Sequence, residues 1–110
     1  MTDFRFDLNE EKARNYYHDE IIQSSLERIK VARKLFDGVW EATTIEGLKL
    51  AIDKVKAFIP DIVLSINCLE TAYEDFNDER IPAVLKKLKM WLSELSLSTY
   101  RDADSLDETA

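Results

Sequence analysis

The sequence is poor in the residues that interrupt helices or cross-link chains. Its 110 residues include one cysteine, two glycines and two prolines. A single cysteine, Cys68, excludes an intramolecular disulfide, and a small domain without disulfides is typical of a reducing compartment. So few glycines and prolines leave little room for the many tight turns of a β-sandwich or barrel. The composition therefore favours helices.

Long apolar runs and an excess of positive charge are also absent. No stretch approaches the roughly 18 apolar residues of a membrane span, and residues 1–12 lack the apolar segment of a secretory signal. The formal net charge of −7 disfavours nucleic acid and anionic membranes as partners, because both attract basic proteins. These features predict a soluble cytoplasmic protein, whose acidic charge suits a basic protein partner or simply maintains solubility.

Residues that carry chemistry are scarce as well. The one histidine, His18, has no histidine or carboxylate three or four residues away, so it is predicted to lie at the surface or at the edge of an apolar stripe. The two glycines stand nine residues apart and form no phosphate-binding loop. Glu70, Glu74 and Asp78 share a helix face, yet the heptad positions of Glu70, Glu74 and the nearby Asp75 point mostly outward. We predict no cofactor, no metal, no catalytic residue and no small-molecule substrate.

The first helix is predicted from its cap and its periodicity. Apolar and charged side chains alternate at the N-terminus, which predicts an extended arm over residues 1–8. Asn9 is a favourable N-cap, so the helix is predicted to begin there. Apolar side chains then recur every three or four residues from Ile22 to Phe36. Gly38 predicts the end of the helix, because glycine accepts the left-handed C-cap conformation.

The clearest pattern runs from Ile45 to Phe76, where apolar side chains alternate at steps of three and four residues. This is a heptad pattern with apolar a and d positions, typical of a helix that buries one stripe. Thr43, three residues before Glu46, predicts a capping box at its start. Pro60 interrupts the run. We predict one helix kinked at Pro60, because a new helix would not preserve the heptad phase; a break into two helices is the alternative.

A third helix is predicted after the polar break at residues 77–80, with Pro82 in its first turn and apolar side chains to Leu95. Residues 101–110 form an acidic tail that we predict to be disordered. The predicted fold class is all-α: residues 9–100 form a small antiparallel bundle, in which a long helical hairpin packs against a third helix. A break at Pro60 would instead give a four-helix up-down bundle.

One side of the second helix is apolar where a surface helix is normally polar. Leu50, Ala57 and Leu64 occupy f positions, opposite the a/d stripe, and Pro60 and Val63 extend this apolar surface. Either the middle of the helix lies between the other two helices and is buried on both sides, or these residues form a binding surface.

Two tryptophans are further candidates for partner binding. Trp40 and Trp91 are chosen because tryptophan is enriched among the residues that dominate protein interfaces. Burial in the core of the domain is the alternative for both of them.

Together these observations predict a non-enzymatic protein-binding module: a small acidic adaptor, chaperone or inhibitor that acts through an apolar helix face. The sequence does not identify the protein partner. One alternative is a metal-dependent helical hydrolase that uses the carboxylates at Glu70, Glu74 and Asp78. Another is a structural homodimer with the f positions of the second helix at its two-fold axis.

Overall fold

The computed structural model describes the backbone of residues 2–101 and the side chains of residues 16–101. Three helices account for nearly all of it: α1 (Thr2–Glu41), α2 (Ile45–Asp75) and α3 (Ile81–Ser98). Each helix packs against both of the others. The predicted three-helix bundle is therefore confirmed, and the four-helix alternative is not supported. No described helix has the length and the apolar character that crossing a bilayer requires.

Helix α1 is longer at both ends than the sequence pattern predicts. It begins at Thr2, so the extended conformation predicted for residues 1–8 is wrong from Thr2 onward, and Asn9 lies inside the helix rather than at its cap. No glycine or proline occurs between Thr2 and Gly38, so no residue there interrupts the backbone hydrogen bonds.

The helix also continues through Gly38, where it was predicted to stop, and ends at Glu41. Gly38 keeps a negative φ, so it does not adopt a C-cap conformation. A glycine inside a helix costs about 1 kcal/mol relative to alanine. Burial of Val39, which has no exposed surface, offsets that cost and keeps the last turn packed on the core.

The start of α2 is one residue later than the capping-box prediction. Thr44, not Thr43, is the N-cap, and its hydroxyl oxygen accepts a 3.0 Å hydrogen bond from the backbone N–H of Gly47. Because Gly47 occupies the third helical position, no side chain there can return the hydrogen bond that Glu46 was predicted to make.

Helix α2 runs through Pro60 as a single helix, as predicted. Proline lacks an amide hydrogen, so the carbonyl of Lys56 loses its usual helical partner there. The heptad stripe forms the core of the bundle, and only its end positions, Ile45, Tyr73 and Phe76, are exposed. The buried a and d residues of α2 are Leu48, Val55, Ile62, Ile66 and Leu69.

Helix α3 begins at Ile81, with Pro82 in its first turn, and ends at Ser98, as the pattern predicts. The chain then reverses so that Arg101 reaches the C-terminal end of α1, where its guanidinium donates hydrogen bonds to the carbonyl oxygens of Val39 and Ala42. Arg101 thus satisfies carbonyl groups that a helix end leaves without partners. The rest of the tail predicted for residues 101–110 lies outside the described residues.

Candidate protein-binding surface

The f positions of α2 form an exposed apolar face. Leu50, Ala57, Leu64 and Thr71 all lie at the surface, and 57% of Leu50 and 53% of Leu64 are exposed. The alternative in which the middle of α2 is buried on both sides is therefore wrong for these side chains. We call these four residues the outer stripe.

Helices α1 and α3 cover the other sides of α2 and leave the outer stripe uncovered. Arg28 of α1 donates a hydrogen bond to the hydroxyl of the buried Ser65 on one side of α2. Lys89 of α3 lies 3.4 Å from the carboxylate of Glu70 on the other side. The a/d stripe faces inward between them, so the f positions are left on the outside of the bundle.

Pro60 and Val63, which were also predicted to bind a partner, lie at the surface beside this stripe. An exposed proline leaves a carbonyl without a helical partner on the preceding turn, and it cannot donate a hydrogen bond. The five predicted residues of α2, namely Leu50, Ala57, Pro60, Val63 and Leu64, are therefore all exposed on one helix.

A groove runs between α1 and the outer stripe. Near the α1–α2 connection it is a depression of about 250 Å³, and Leu50 forms part of its wall. A second depression of about 340 Å³ follows, with Ala57 in its wall and the half-buried Phe58 beneath. Leu35 and Lys54 line both depressions, so the two are adjacent. We call this pair of depressions the α1–α2 groove.

The groove is apolar at its base and basic along its rim. Leu35 and Phe58 are half-buried and pack against the core beneath it. Lys34 of α1 and Lys54 of α2 stand on the rim, and Asp61 lies at the far end. This local excess of positive charge contrasts with the net charge of −7 for the whole chain.

Both glycines of the chain line the near end of the groove, one on each helix. Gly38 belongs to α1 and Gly47 to α2. A methyl group added at Gly38 would meet nothing within 4 Å, so packing within the domain does not require a glycine there. A methyl group at Gly47 would lie 2.8 Å from the hydroxyl oxygen of Thr44 and would disturb the cap of α2.

The α1 wall of this groove was not predicted from the sequence. Val31, Lys34 and Gly38 form it together with Leu35. The available signal was Val31, an exposed apolar residue outside the periodic stripe of α1. Whether Val31 lies beside α2 depends on which side of α1 faces α2, and the sequence pattern of one helix does not specify that side.

The two tryptophans lie away from the groove. The ring of Phe36 is 6.1 Å from the ring of Trp40 and 5.7 Å from that of Trp91, centroid to centroid. These three aromatic residues thus link α1 to α3. Trp91 is half-buried and packs against the core, whereas Trp40 is half-exposed and lies under the guanidinium of Arg101. Neither tryptophan lines the α1–α2 groove, so they do not extend that surface.

At the opposite end of the bundle, the single histidine is buried, which corrects the surface position predicted for it. Only 2% of His18 is exposed, and its Nδ1 lies 3.4 Å from a carboxylate oxygen of Asp78. Arg80 donates two side-chain hydrogen bonds, of 2.6 and 3.0 Å, to the same carboxylate and another to the carboxylate of Asp19 in α1. No local sequence pattern predicts this cluster, because His18 and Asp78 are 60 residues apart.

This cluster ties the α2–α3 connection to α1. The hydrogen bonds from Arg80 hold the pKa of Asp78 well below its usual range, and the carboxylate in turn raises the pKa of Arg80. Both oxygens of Asp78 are thus engaged by a cation within the fold. In the described part of the chain, no three His, Cys, Asp or Glu side chains are grouped so that they could hold a metal ion.

Comparison with known proteins adds no assignment. The chain matches no protein-family model, no curated protein and no solved structure.

Proposed function

We propose that this protein is a non-enzymatic binding module of the cytoplasm, an adaptor, chaperone or inhibitor, which binds a protein partner through the outer stripe and the α1–α2 groove. The observation that carries the proposal is the exposure of Leu50 and Leu64 on the outer stripe, with Leu50 in the wall of a groove that has an apolar base. Single exposed apolar residues are ordinary, but leucines two heptads apart on one helix face, with Ala57 between them, form an extended apolar surface.

The way in which the carboxylates are used within the fold agrees with a binding role. Asp78 is held by Arg80, and Glu70 is paired with Lys89 of α3. Two of the three carboxylates considered for metal-dependent hydrolysis are therefore occupied by cations of the protein itself, and no observation favours the hydrolase alternative.

The expected contribution of the surface follows from its exposed area. Full burial of a leucine contributes roughly 1.5–3 kcal/mol, so covering the exposed half of Leu50 or Leu64 contributes about 1 kcal/mol each. Placing an aspartate at either position adds the cost of burying a charge. We expect Leu50→Asp and Leu64→Asp to weaken partner binding more than tenfold, since about 1.4 kcal/mol corresponds to a factor of ten.

The test is affinity capture from cell extract with the full chain as bait. The matched control is Leu97→Asp, because Leu97 is a leucine of α3 that is 64% exposed and lies outside the groove. Proteins captured by the unsubstituted chain and by Leu97→Asp should be lost with Leu50→Asp and Leu64→Asp. Far-ultraviolet circular dichroism would show that all four proteins keep their helices. Equal capture by all four would refute the proposal.

A second copy of the chain is the partner in the homodimer form of this proposal. Light scattering distinguishes it: a dimer mass that Leu64→Asp reduces to the monomer mass would identify the partner as the protein itself. A monomer mass for the unsubstituted chain at micromolar concentration would exclude this form and leave binding to a different protein.

A further inference from the structure

The chain leaves the bundle at the near end of the α1–α2 groove. Arg101 donates hydrogen bonds to the carbonyl oxygens of Val39 and Ala42. Val39 directly follows Gly38, which lines the first depression of the groove together with Gly47. Residues 102–110 therefore start at the end of the bundle where the groove begins, beside Trp40 of α1.

The charge of this segment is complementary to the rim. Residues 102–110 contain four acidic residues, no basic residue and one large apolar side chain, Leu106. The near part of the groove offers the ammonium groups of Lys34 and Lys54 above an apolar base at Leu35. The only acidic residue that lines either described depression is Asp61, at the far end.

The segment is also long enough to enter the groove. Extended chain spans about 3.3 Å per residue, so Leu106, five residues after Arg101, can reach about 16 Å. The α1 wall from Gly38 to Val31 rises about 1.5 Å per residue and is about 10 Å long. A segment that runs to Leu106 is thus longer than this wall.

We propose that residues 102–110 bind in the α1–α2 groove of the same chain and compete there with the partner. The competition rests on the proposed function, whereas the docking itself does not. The docked state is in exchange with an undocked one, because exposed ion pairs contribute little individually. Docking weakens as salt is raised, since the pairs on the rim are screened.

The test places a nitroxide label at residue 105 of the full chain, in a Cys68→Ser, Ser105→Cys background, and measures the broadening of backbone amide signals by NMR. The amides of Lys54 and Ala57 report on the groove. Those of Met90 and Glu94, on exposed positions of α3, are the matched control for a tail that samples all directions around the end of the bundle.

We expect stronger broadening at the groove amides than at the α3 amides, and at least a twofold loss of this excess in Lys34→Glu, Lys54→Glu. Changing Asp104 and Asp107 to lysine in that variant should restore it. Equal broadening on both faces, or an excess that charge reversal leaves unchanged, would overturn the proposal. If Cys68→Ser disturbs the fold, docking is tested in the unsubstituted chain by carbodiimide cross-linking. A cross-link between a tail carboxylate and Lys34 or Lys54 is then the expected result.

Two further experiments distinguish docking within one chain from docking between two copies and from partner binding. Broadening of an unlabelled ¹⁵N chain mixed with a labelled ¹⁴N chain would mean that the tail of a second copy fills the groove, which overturns docking within one chain. Capture experiments with Leu50→Asp do not use the label, so they test the proposed function separately. Tail docking can be absent while partner capture still depends on Leu50. Conversely, tail docking can be present while partner capture does not depend on Leu50.

Discussion

Replacing each of the two glycines by alanine should affect the stability of the domain differently: one substitution should stabilise it and the other should not. Both glycines lie in helices, at Gly38 and Gly47, and neither has a positive φ. In a helix, alanine is favoured over glycine by about 0.5–1 kcal/mol, because glycine loses more backbone freedom on folding. Propensity alone would therefore predict that both substitutions stabilise the protein.

The surroundings of the two positions differ. The methyl group of Gly38→Ala has open space around it, so this variant should gain the full 0.5–1 kcal/mol, or roughly 4–8 °C per kcal/mol in Tm for a domain near this size. At Gly47 the methyl group would lie 2.8 Å from the Thr44 hydroxyl oxygen, which must move and lose its cap hydrogen bond. Losing an N-cap costs about 0.5–2 kcal/mol, so Gly47→Ala should be neutral or destabilising.

Urea unfolding followed by circular dichroism at 222 nm measures both free energies, and the two variants should differ by about 0.5–2 kcal/mol, the cost of losing the cap. A double-mutant cycle tests the cause: in a Thr44→Ala background the cap is already absent, so Gly47→Ala should then stabilise. If Gly47→Ala stabilises the unsubstituted protein as much as Gly38→Ala does, the argument from the Thr44 cap is wrong.

Four further substitutions have definite expected outcomes. Ile62→Ala should cost about 2–4 kcal/mol of unfolding free energy because Ile62 is fully buried, whereas Leu64→Ala, two residues along, should cost less than about 1 kcal/mol. Ser25→Ala should be neutral or stabilising in the same urea assay, since the buried Ser25 hydroxyl has no hydrogen-bond partner among the described residues. The lowered pKa of Asp78 in the folded protein contributes stability above the pKa of the unfolded chain, which is near 4. That stability is lost as the pH falls through the lower pKa of the folded state. Asp78→Asn should therefore show a shallower loss of stability below about pH 4.

The regular parts of the fold could be predicted because they follow from local periodicity. The buried positions Leu48, Val55 and Ile62 of α2 recur at seven-residue spacing, and a helix places such residues on one face whatever surrounds it. The same spacing predicted that α2 passes through Pro60, since a break would have lost the phase. The apolar character of the opposite side, at Leu50 and Leu64, followed from the same spacing, whereas its exposure is known only from the structure.

The helix ends could not be predicted in this way, because they depend on energies that the local sequence does not contain. Gly38 is a favourable stop signal, yet Val39 is fully buried one residue later and holds the last turn of α1 in place. Two adjacent threonines precede α2, and only the backbone path of the connection selects Thr44 as the cap. At Asn9 a suitable cap residue is simply bypassed, since no residue near it breaks the helix.

The sequence by itself thus determined that the protein is an all-α bundle, which side of α2 is core and that the opposite side is apolar. Only the tertiary structure decided that this opposite side is exposed, that α1 supplies the second wall of a groove lined by both Gly38 and Gly47, and that His18 is buried against Asp78. The physical reason is the same in each case. Periodicity records how a helix divides into faces, whereas the pairing of faces from distant segments depends on how the three helices are rotated against one another, which no single segment encodes.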